Sequence, residues 1–367
     1  MNPFWQERHQ RLREQTEAVA RAIEHEHDPP KIVRILGQEL GQHLERGEVT
    51  SLCVIREALA ERTALGDTLF AMQGLGSQPI RLAGSEELKQ RYVMPAALGR
   101  KLAAFALTEP EAGSDVASLR TLARRDTSGG HGGGGDSYVL DGEKTFISNA
   151  GLADFYVVFA KTDASAGGKG ISAFVVDRDA PGLTFEPQTL IADHPMGALT
   201  FERCRAAARL GAEGDGLKIA LGTLDRFRPT VGAAACGMAR RALAETLVRV
   251  RTRVQFGKSL AEFQGTQFAL ADMATELDAA RLLVYRAAAA CDRGERATLE
   301  AAMAKLYATE IAQRVVDQAL QLHGGAGLLA GTPTERLYRD VRALRIYEGT
   351  SEIQRIVIAR ELLRSGT

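Results

Sequence analysis

The stretch YVLDGEKTFIS, residues 138–148, decides the fold class because it carries the clearest β-type pattern in the chain. Two short runs of aromatic and β-branched residues flank Asp141-Gly142, and an Asp-Gly pair favours the positive φ angles of a hairpin turn. Similar runs occur from about Lys101 to Arg209, namely AAFAL, FYVVFA, ISAFVV and ALTFE. We therefore predict two strands joined by a turn at Asp141-Gly142, within a β sandwich or barrel.

The apolar residues on both sides of this β region recur at helical spacing. One stripe precedes the β region and is formed by Val33, Ile35, Leu36, Leu40 and Leu44. A second stripe follows it and is formed by Leu270, Met273, Leu277, Ala280 and Val284. Apolar residues three and four positions apart share one face of a helix, so both flanks are predicted to be helical. Ser85 is placed to cap the start of a further helix.

The predicted fold is mainly α with a central β domain. It comprises an N-terminal helical domain at 1–101, a middle β-barrel domain at 102–211 and a C-terminal four-helix-type bundle at 212–367. Further helical stretches at 217–251, 297–322 and 351–363 support the bundle, because long helices with short connections pack side by side. The glycine-rich residues 129–135 are predicted to form a flexible tip between strands.

Composition excludes several classes of protein. Lys+Arg and Asp+Glu number 46 each in 367 residues, without the basic excess typical of nucleic-acid binders. No apolar run is long enough to span a bilayer, so no membrane insertion is expected. The four cysteines lie far apart with no CxxC pair, which indicates reduced thiols and a cytoplasmic protein. No metal site is expected.

Two loops could hold a ligand. Residues 106–115, ALTEPEAGSD, follow a strand and combine hydroxyl groups with Pro and Gly, so the loop is either a ligand-facing turn or only a hydrogen-bonded one. Residues 321–327, QLHGGAG, close a helix, and their glycines either cap that helix or let a ligand approach the backbone. Residues 321–327 lack the spacing of a dinucleotide fingerprint, and the glycine-rich residues 129–135 lack the Gly-Lys-Ser/Thr of a phosphate-binding loop.

Glu348 is the candidate general base. It lies on a glycine-containing bend just before Ser351 and Gln354, whose S-x-x-Q spacing fits a capping box at the start of a helix. A carboxylate facing an apolar cavity has a raised pKa and can accept a proton. The alternative from the residues alone is an acid that complements the helix dipole.

Taken together, five segments resemble the acyl-CoA dehydrogenase family, in the family's order, over residues 75–363. These segments are ALTEPEAGSD (106–115), DGEKTFISNAG (141–151), RTRVQFGKSLAEFQ (251–264), QLHGGAG (321–327) and RIYEGTSEIQR (345–355). The resemblance implies helical, β-barrel and helical-bundle domains in that order. It also implies that the cofactor is FAD.

The resemblance implies three groups of cofactor-binding residues. The flavin would be lined by Phe105, Leu107, Thr108, Gly113, Ser114, Phe146, Ile147 and Ser148, with Phe146 where Trp is commoner and Ser148 where Thr is frequent. The FAD tail of a neighbouring subunit would be held by Arg253, Gln255, Phe256, Gln264, Gln321, Gly324 and Gly325. The diphosphate would be touched by Thr350 and Glu352. A shared site implies a homo-oligomer, a tetramer built as a dimer of dimers.

The same resemblance implies the reaction. Glu348 would remove the α-proton of an acyl-CoA while the β-hydride passes to flavin N5, and electrons would then go to an electron-transfer flavoprotein. Hydrogen bonds from the ribityl chain of FAD and the backbone amide of the base would stabilise the enolate. The acyl-CoA would contact Ser114, Asp225, Arg228 and Gly349.

The sequence departs from the family pattern at Phe227 and over residues 191–209. Some members place the base just before the arginine of the Asp-x-x-Arg segment, but Phe227 stands there, so Glu348 is the expected base. Phe227 would also narrow the acyl cavity and favour a short substrate. Residues 191–209 depart from the pattern, and His194 within them is expected to be structural.

Three other functions remain open at this stage. Two are flavoenzyme functions, an acyl-CoA oxidase and a dehydrogenase of acyl-carrier-protein thioesters. The third is a DNA-binding relative without catalysis, which the zero net charge and the presence of Glu348 disfavour.

Overall fold

The computed structural model describes residues 3–126 and 137–365, and it runs from helices through a sheet to helices again. The predicted class, mainly α with a central β domain, is therefore confirmed. The predicted flexible tip at 129–135 lies outside the described residues. Over the two described ranges, no helix combines the length and the apolar character that crossing a membrane requires.

The N-terminal region is helical, as predicted. Its helices are α1 (Glu7–Ile23), α2 (Pro29–Arg46), α3 (Val49–Ala60), α4 (Ala64–Ala83), α5 (Glu86–Leu88) and α6 (Met94–Ala97), with a π-helical turn at Lys89–Val93. Helix α2 begins with two prolines, whose fixed φ suits the first helical turn, and ends at Gly47 in the left-handed conformation. The Ser85 hydroxyl accepts a hydrogen bond from the Leu88 amide, which confirms the predicted cap.

One sheet forms the middle region. Its strands are β1 (Ala103–Ala106), β2 (Leu122–Arg125), β3 (Tyr138–Ser148), β4 (Phe155–Lys161), β5 (Ile171–Asp177), β6 (Leu183–Pro187), β7 (Met196–Arg205) and β8 (Ala208–Leu210). The described strands pair in the order β6-β7-β3-β2-β4-β5-β8, and β1 pairs with β4. In β4, Val157 packs against the helices, whereas Val158 packs under β3 and β7, so both faces of this strand are buried.

The predicted hairpin at Asp141-Gly142 is wrong, because both residues lie inside the 11-residue strand β3. Strands β2 and β7 pair with β3 on its two edges, and the register with β7 shifts between Leu140 and Gly142 as in a β-bulge. A Cβ atom on Gly142 would lie 2.7 Å from the Cα atom of Thr121, so glycine allows a close strand contact here. Pairing on both edges therefore overrides the local preference for a turn.

The C-terminal region is a helical bundle. Its elements are α7 (Gly216–Thr252), β9 (Val254–Gln255), β10 (Lys258–Ser259), α8 (Gln264–Asp292), α9 (Thr298–His323), α10 (Pro333–Asp340) and α11 (Ser351–Ser365). The helices predicted at 217–251, 297–322 and 351–363 are confirmed as α7, α9 and α11. In α8 the stripe residues Met273, Leu277, Ala280 and Val284 are buried.

The N-terminal and C-terminal helices share one hydrophobic core. Leu36 and Val54 from the first region belong to the same buried cluster as Val231, Val284 and Val315 from the second. The sheet packs beside this core through a second cluster, in which Ile80 of α4 and Ile219 of α7 contact strand residues. We keep the domain boundaries 1–101, 102–211 and 212–367 as our proposal. All four cysteines carry free thiols.

The close approach of α2 to residues 98–99 gives a stability prediction. A Cβ atom on Gly37 would lie 2.2 Å from the Gly99 nitrogen, so Gly37→Ala must displace backbone and is expected to cost at least about 2 kcal/mol of unfolding free energy. The matched control is Gly222→Ala in α7, where the nearest atom is 3.7 Å away and the better helix propensity of Ala is expected to stabilise by about 0.5 kcal/mol. Urea denaturation measures the unfolding free energy of both variants. Equal effects would contradict the close contact.

Candidate active site

Glu109 and Lys144 connect two of the predicted ligand-facing segments. The Lys144 ammonium donates to a Glu109 carboxylate oxygen at 2.7 Å and to the Leu107 carbonyl at 3.0 Å. Glu109 also accepts from the amides of Arg120 and Thr121. Both charged side chains are buried, and burial lowers the pKa of Lys144 to about 8 although Glu109 opposes this shift. The pair fixes residues 107–109 against strand β3.

The end of β3 presents an exposed aromatic ring. Phe146 is 59% exposed and has a φ of 56°, a left-handed conformation that is strained for an aromatic residue. Its amide donates to Gln188 at 3.1 Å, and the Ser148 hydroxyl lies 2.7 Å from Nε2 of His194. Ile147 between them is buried beneath the sheet, so its side chain points away from this surface.

The other predicted flavin-lining residues lie along β1 and the loop after it. Phe105 is half-buried in β1, Leu107 is buried and Thr108 is half-buried, whereas Gly113 and Ser114 are exposed. A Cβ atom on Gly113 would meet no atom within 4 Å, so the loop is open there. The predicted loop at 106–115 is thus open at Gly113 and Ser114, and its role in binding a ligand stays a prediction.

Glu348 lies on a strained bend that several side chains hold in place. Its φ of 54° is followed by a φ of 90° at Gly349. The Glu348 carbonyl accepts from Arg228 at 3.4 Å and from Gln354 at 3.2 Å. The Gly349 carbonyl accepts from Lys305 and from Gln354, each at 2.8 Å. Three side chains on α7, α9 and α11 therefore fix the backbone on which the candidate base is mounted.

The carboxyl group of Glu348 lies in a desolvated environment. Its Oε2 atom is shielded from solvent and has no hydrogen-bond partner among the described residues. Burial raises the pKa of Glu348, and the charges of Arg56, Lys305 and Arg228 oppose this rise. A desolvated carboxylate with a free oxygen and a raised pKa is a competent general base.

The capping box predicted at Ser351 is displaced by one residue. Helix α11 does begin at Ser351, but the amide of Ile353 donates to the hydroxyl of Thr350, so Thr350 caps the helix. Ser351 instead donates to Glu310, and Gln354 is occupied by the carbonyls of Glu348 and Gly349. Gln354 of the predicted motif therefore stabilises the bend at Glu348 and Gly349 instead of capping the helix.

Asp225 and Arg228 form a second polar pair beside the bend. Arg228 donates to Asp225 at 2.6 Å, and Asp225 also accepts from Thr298 at 2.9 Å. Phe227 points the other way, into the helical core, where a Cβ atom on Gly74 would lie 2.7 Å from its ring. The structure thus brings Arg228 and Glu348 together and places the Phe227 side chain in the helical core.

The remaining predicted FAD-tail residues lie apart from Glu348, at one end of the bundle. The exposed residues are Arg253, Gln255 and Phe256 at the β9–β10 hairpin, Gln264 at the start of α8, Gln321 in the last turn of α9, and Gly324 and Gly325 after it. The two groups meet where Arg249 donates to the His323 carbonyl at 3.4 Å. Thr350 is half-buried and Glu352 is exposed, both at the start of α11.

Sequence reasoning missed the side chains that surround the base. Lys305 is fully buried on the alanine-rich inner face of α9, and a lysine on an apolar helix face was the available signal. Arg56 is also buried and forms a bidentate pair with Asp67, with both contacts at 2.8 Å. No local pattern marked Arg56, because its role depends on contact with Tyr347 and Glu348 far along the chain.

Comparisons with known proteins show the family of the chain. The family model "Acyl-CoA dehydrogenase, middle domain" matches residues 104–204, and "Acyl-CoA dehydrogenase, C-terminal domain" matches residues 214–363. The chain is 43% identical over 318 residues to probable acyl-CoA dehydrogenase fadE25 of Mycobacterium leprae, covering 85% of this chain and 80% of that protein. It is 40% identical over 344 residues to the Caffeyl-CoA reductase-Etf complex subunit CarC of Acetobacterium woodii, covering 91% and 86%.

Two solved structures share the fold. Butyryl-CoA dehydrogenase from Megasphaera elsdenii superposes with a TM-score of 0.90 at 34% identity, covering 98% of this chain and 99% of that one. A glutaryl-CoA dehydrogenase from Mycobacterium smegmatis in complex with FADH2 superposes with a TM-score of 0.89 at 26% identity, covering 98% and 95%.

The chain belongs to the acyl-CoA dehydrogenase family. It is an oxidoreductase of that family, and its cofactor is FAD. The residues present fit this cofactor, because the ring of Phe146 is free to cover a flat aromatic ligand. The open loop at Gly113 leaves room for such a ligand beside the ring.

The Glu109–Lys144 pair gives a second stability prediction. Lys144→Met leaves a buried carboxylate without its counter-ion and is expected to cost about 3 to 5 kcal/mol of unfolding free energy, measured by urea denaturation. The control is Lys89→Met, which breaks an ion pair of the same 2.7 Å length with the exposed Glu86 and should cost less than about 1 kcal/mol. Similar costs for both variants would contradict a structural role of the buried pair.

Lys305 gives a prediction of pH dependence. Glu348 must be deprotonated to act as a base, so kcat/KM falls as the pH drops through its pKa. The Lys305 charge lowers the pKa of Glu348. Lys305→Met is therefore expected to raise that pKa and to move the acidic limb of kcat/KM to higher pH.

The control for this experiment is Lys31→Met, which removes an exposed ammonium and should leave the acidic limb in place. If Lys305→Met lowers kcat/KM equally at every pH, Lys305 only braces the Gly349 carbonyl.

Proposed function

We propose that this chain dehydrogenates an acyl-CoA thioester at its α and β carbons, with Glu348 removing the α-proton. The observation that carries the proposal is the desolvated Glu348 carboxyl, with a free Oε2 atom and a raised pKa, on a bend fixed by three side chains. The family membership supplies the class of reaction, and the electrostatics of the bend supply the base.

The chain's own residues position and activate the base. Arg228, Lys305 and Gln354 donate to the carbonyls of Glu348 and Gly349, which holds the backbone that carries the carboxyl group. We propose that the Glu348 amide donates to the thioester oxygen, which makes the α-proton more acidic by stabilising the enolate. FAD, when bound, supplies the acceptor for the β-hydride.

The substrate-binding and FAD-binding sets remain proposals. Ser114, Asp225, Arg228 and Gly349 are proposed to contact the acyl-CoA, and Arg228 and Gly349 already lie at the bend that carries Glu348. The flavin is proposed to lie against Phe146, Ser148 and the 107–115 loop. Thr350 and Glu352 are proposed to face the diphosphate of FAD.

A neighbouring subunit is proposed to complete the FAD site. Phe256 is 94% exposed on the β9–β10 hairpin, far more than an apolar ring in water normally is. Leu328 and Leu329 are also exposed just after the Gly324-Gly325 pair, whose surface is open. An apolar surface next to residues proposed to hold an FAD tail supports a homo-oligomer, a dimer of dimers.

The electron acceptor is proposed to be an electron-transfer flavoprotein. The Acetobacterium woodii relative is named as a subunit of a reductase-Etf complex, which supports this partner. An oxidase would instead consume oxygen during turnover. Anaerobic and aerobic assays with the flavoprotein as acceptor separate these two outcomes.

The acyl group is proposed to be short. Phe227 directly precedes Arg228 and fills the core behind the base, where its ring contacts Gly74. Arg56 and Asp67 are buried near Glu348, and burying a long alkyl chain against this charged pair would be unfavourable. These features together favour a compact acyl group.

The test is an anaerobic titration of the FAD-loaded protein with acyl-CoAs of increasing chain length, followed by bleaching of the flavin absorbance. We expect short acyl-CoAs to bleach the wild type. Glu348→Gln should keep FAD but lose bleaching by at least about 100-fold in rate, because a general base contributes about 10² to 10⁴.

The matched control is Glu295→Gln, the same change at an exposed ion pair, which should bleach like the wild type. Normal bleaching by Glu348→Gln would refute the proposed base. Faster bleaching by long-chain than by short-chain acyl-CoAs would refute the compact site.

A further inference from the structure

We propose that His194 is a positioning residue that orients the hydroxyl of Ser148 to donate a hydrogen bond to the flavin ring. This inference rests on the proposed function, because it assumes that the flavin lies against Phe146 and Ser148. It assigns a role to a segment that departs from the family pattern, residues 191–209.

The geometry that carries the inference lies at the end of β3. Nε2 of His194 is 2.7 Å from Oγ of Ser148, the last residue of that strand. The amide of Asn149, the next residue, donates to the Pro195 carbonyl at 2.9 Å. His194 is therefore held in register with Ser148 by the backbone on its C-terminal side.

The same connection between β6 and β7 supports the strand end at a second point. Gln188 accepts from the Phe146 amide at 3.1 Å and donates to the Thr145 hydroxyl at 3.0 Å. The connection thus contributes Gln188, which contacts the amide of Phe146, and His194, which contacts the hydroxyl of Ser148. Both contacts are made to the end of β3, which carries Phe146 and Ser148.

The proposal requires one direction of the His194–Ser148 hydrogen bond. Burial lowers the pKa of His194 to about 4, so the imidazole is neutral near pH 7 and has a single N–H donor. The pyrimidine edge of an oxidised flavin offers mainly acceptors, namely its two carbonyl oxygens and N1. Ser148 can donate to them only if its oxygen accepts from His194, which requires the proton on Nε2.

A free serine hydroxyl rotates among several orientations, so its donor direction is not fixed. A hydrogen bond from His194 occupies one lone pair of Ser148 and leaves the hydroxyl proton to point elsewhere. A donor directed at a carbonyl oxygen or N1 of the pyrimidine edge favours the reduced flavin, because reduction adds electron density to these atoms. N5 is not the proposed target, because it receives the hydride and becomes an N–H donor. His194 should therefore help to set the reduction equilibrium of the cofactor.

The alternative is that His194 only tethers the connection to the strand. Stability and FAD affinity would then depend on His194, but the reduction equilibrium would not depend on it through Ser148. A double-mutant cycle separates the two roles, because coupling exists only where one residue acts through the other.

The experiment measures the reduction equilibrium of bound FAD against a reference dye, with FAD affinity and thermal stability as parallel readouts. The variants are His194→Leu, His194→Gln, Ser148→Ala and the double variant Ser148→Ala/His194→Leu. Losing one hydrogen bond of about 1 kcal/mol should favour the oxidised form about fivefold in His194→Leu and in Ser148→Ala. For a two-electron couple this corresponds to about 20 mV.

His194→Gln retains an N–H donor at similar reach and should restore the wild-type equilibrium. His194→Leu should add no further shift in the Ser148→Ala background. His25→Leu, at an exposed position between α1 and α2, is the control expected to change nothing.

Three results would overturn the proposal. They are an unchanged equilibrium in Ser148→Ala, an equal shift by His194→Leu in both backgrounds, or a loss of stability by His194→Leu without any shift. If His194→Leu fails to fold, the reduction equilibria of Ser148→Ala and His194→Gln still test the proposal. Failure of the proposed function is distinct, because it appears as acyl-CoA bleaching that does not depend on Glu348.

Discussion

The buried ion pair between Glu109 and Lys144 is the interaction on which the flavin side of the site depends. Both groups are removed from water, so each requires the other, and each is also bonded to backbone: Lys144 to the Leu107 carbonyl, Glu109 to the amides of Arg120 and Thr121. One pair thereby joins the loop after β1, the start of β2 and the middle of β3. The predicted ligand loop 106–115 and strand β3, which carries the predicted flavin-lining residues 146–148, are thus held together.

The position of Glu348, by contrast, depends on the helical core. Glu348 is mounted on a bend held from α7, α9 and α11, which belong to the core that the N-terminal and C-terminal helices share. Phe105 of β1 packs against both this core and the cluster beneath the sheet. Its ring therefore connects the sheet that supports the proposed flavin surface with the helical core that supports Glu348. Positioning across the junction is what proton and hydride removal from adjacent carbons requires.

The helices and the loops could be predicted from sequence, but the contacts between distant segments could not. The stripe ending at Val284 was readable because helical periodicity is repeated over many residues. The turn at Asp141-Gly142 was misjudged because a local preference is weaker than strand pairing on both edges. Lys305 was missed because its partner, the Gly349 carbonyl, lies 44 residues later in the chain. The candidate base was found through the family resemblance, whereas its electrostatic surroundings needed the fold.

Burial is the common cause of the protonation states in this site. It raises the pKa of Glu348, lowers the pKa of Lys305 to about 8 and lowers the pKa of His194 to about 4. In each case the charged form is disfavoured, although nearby opposite charges act against the shift. Water entering the site would return Glu348 toward an ordinary weakly basic carboxylate. A bound thioester that excludes water therefore strengthens the base that attacks it, so substrate binding and base strength are physically coupled.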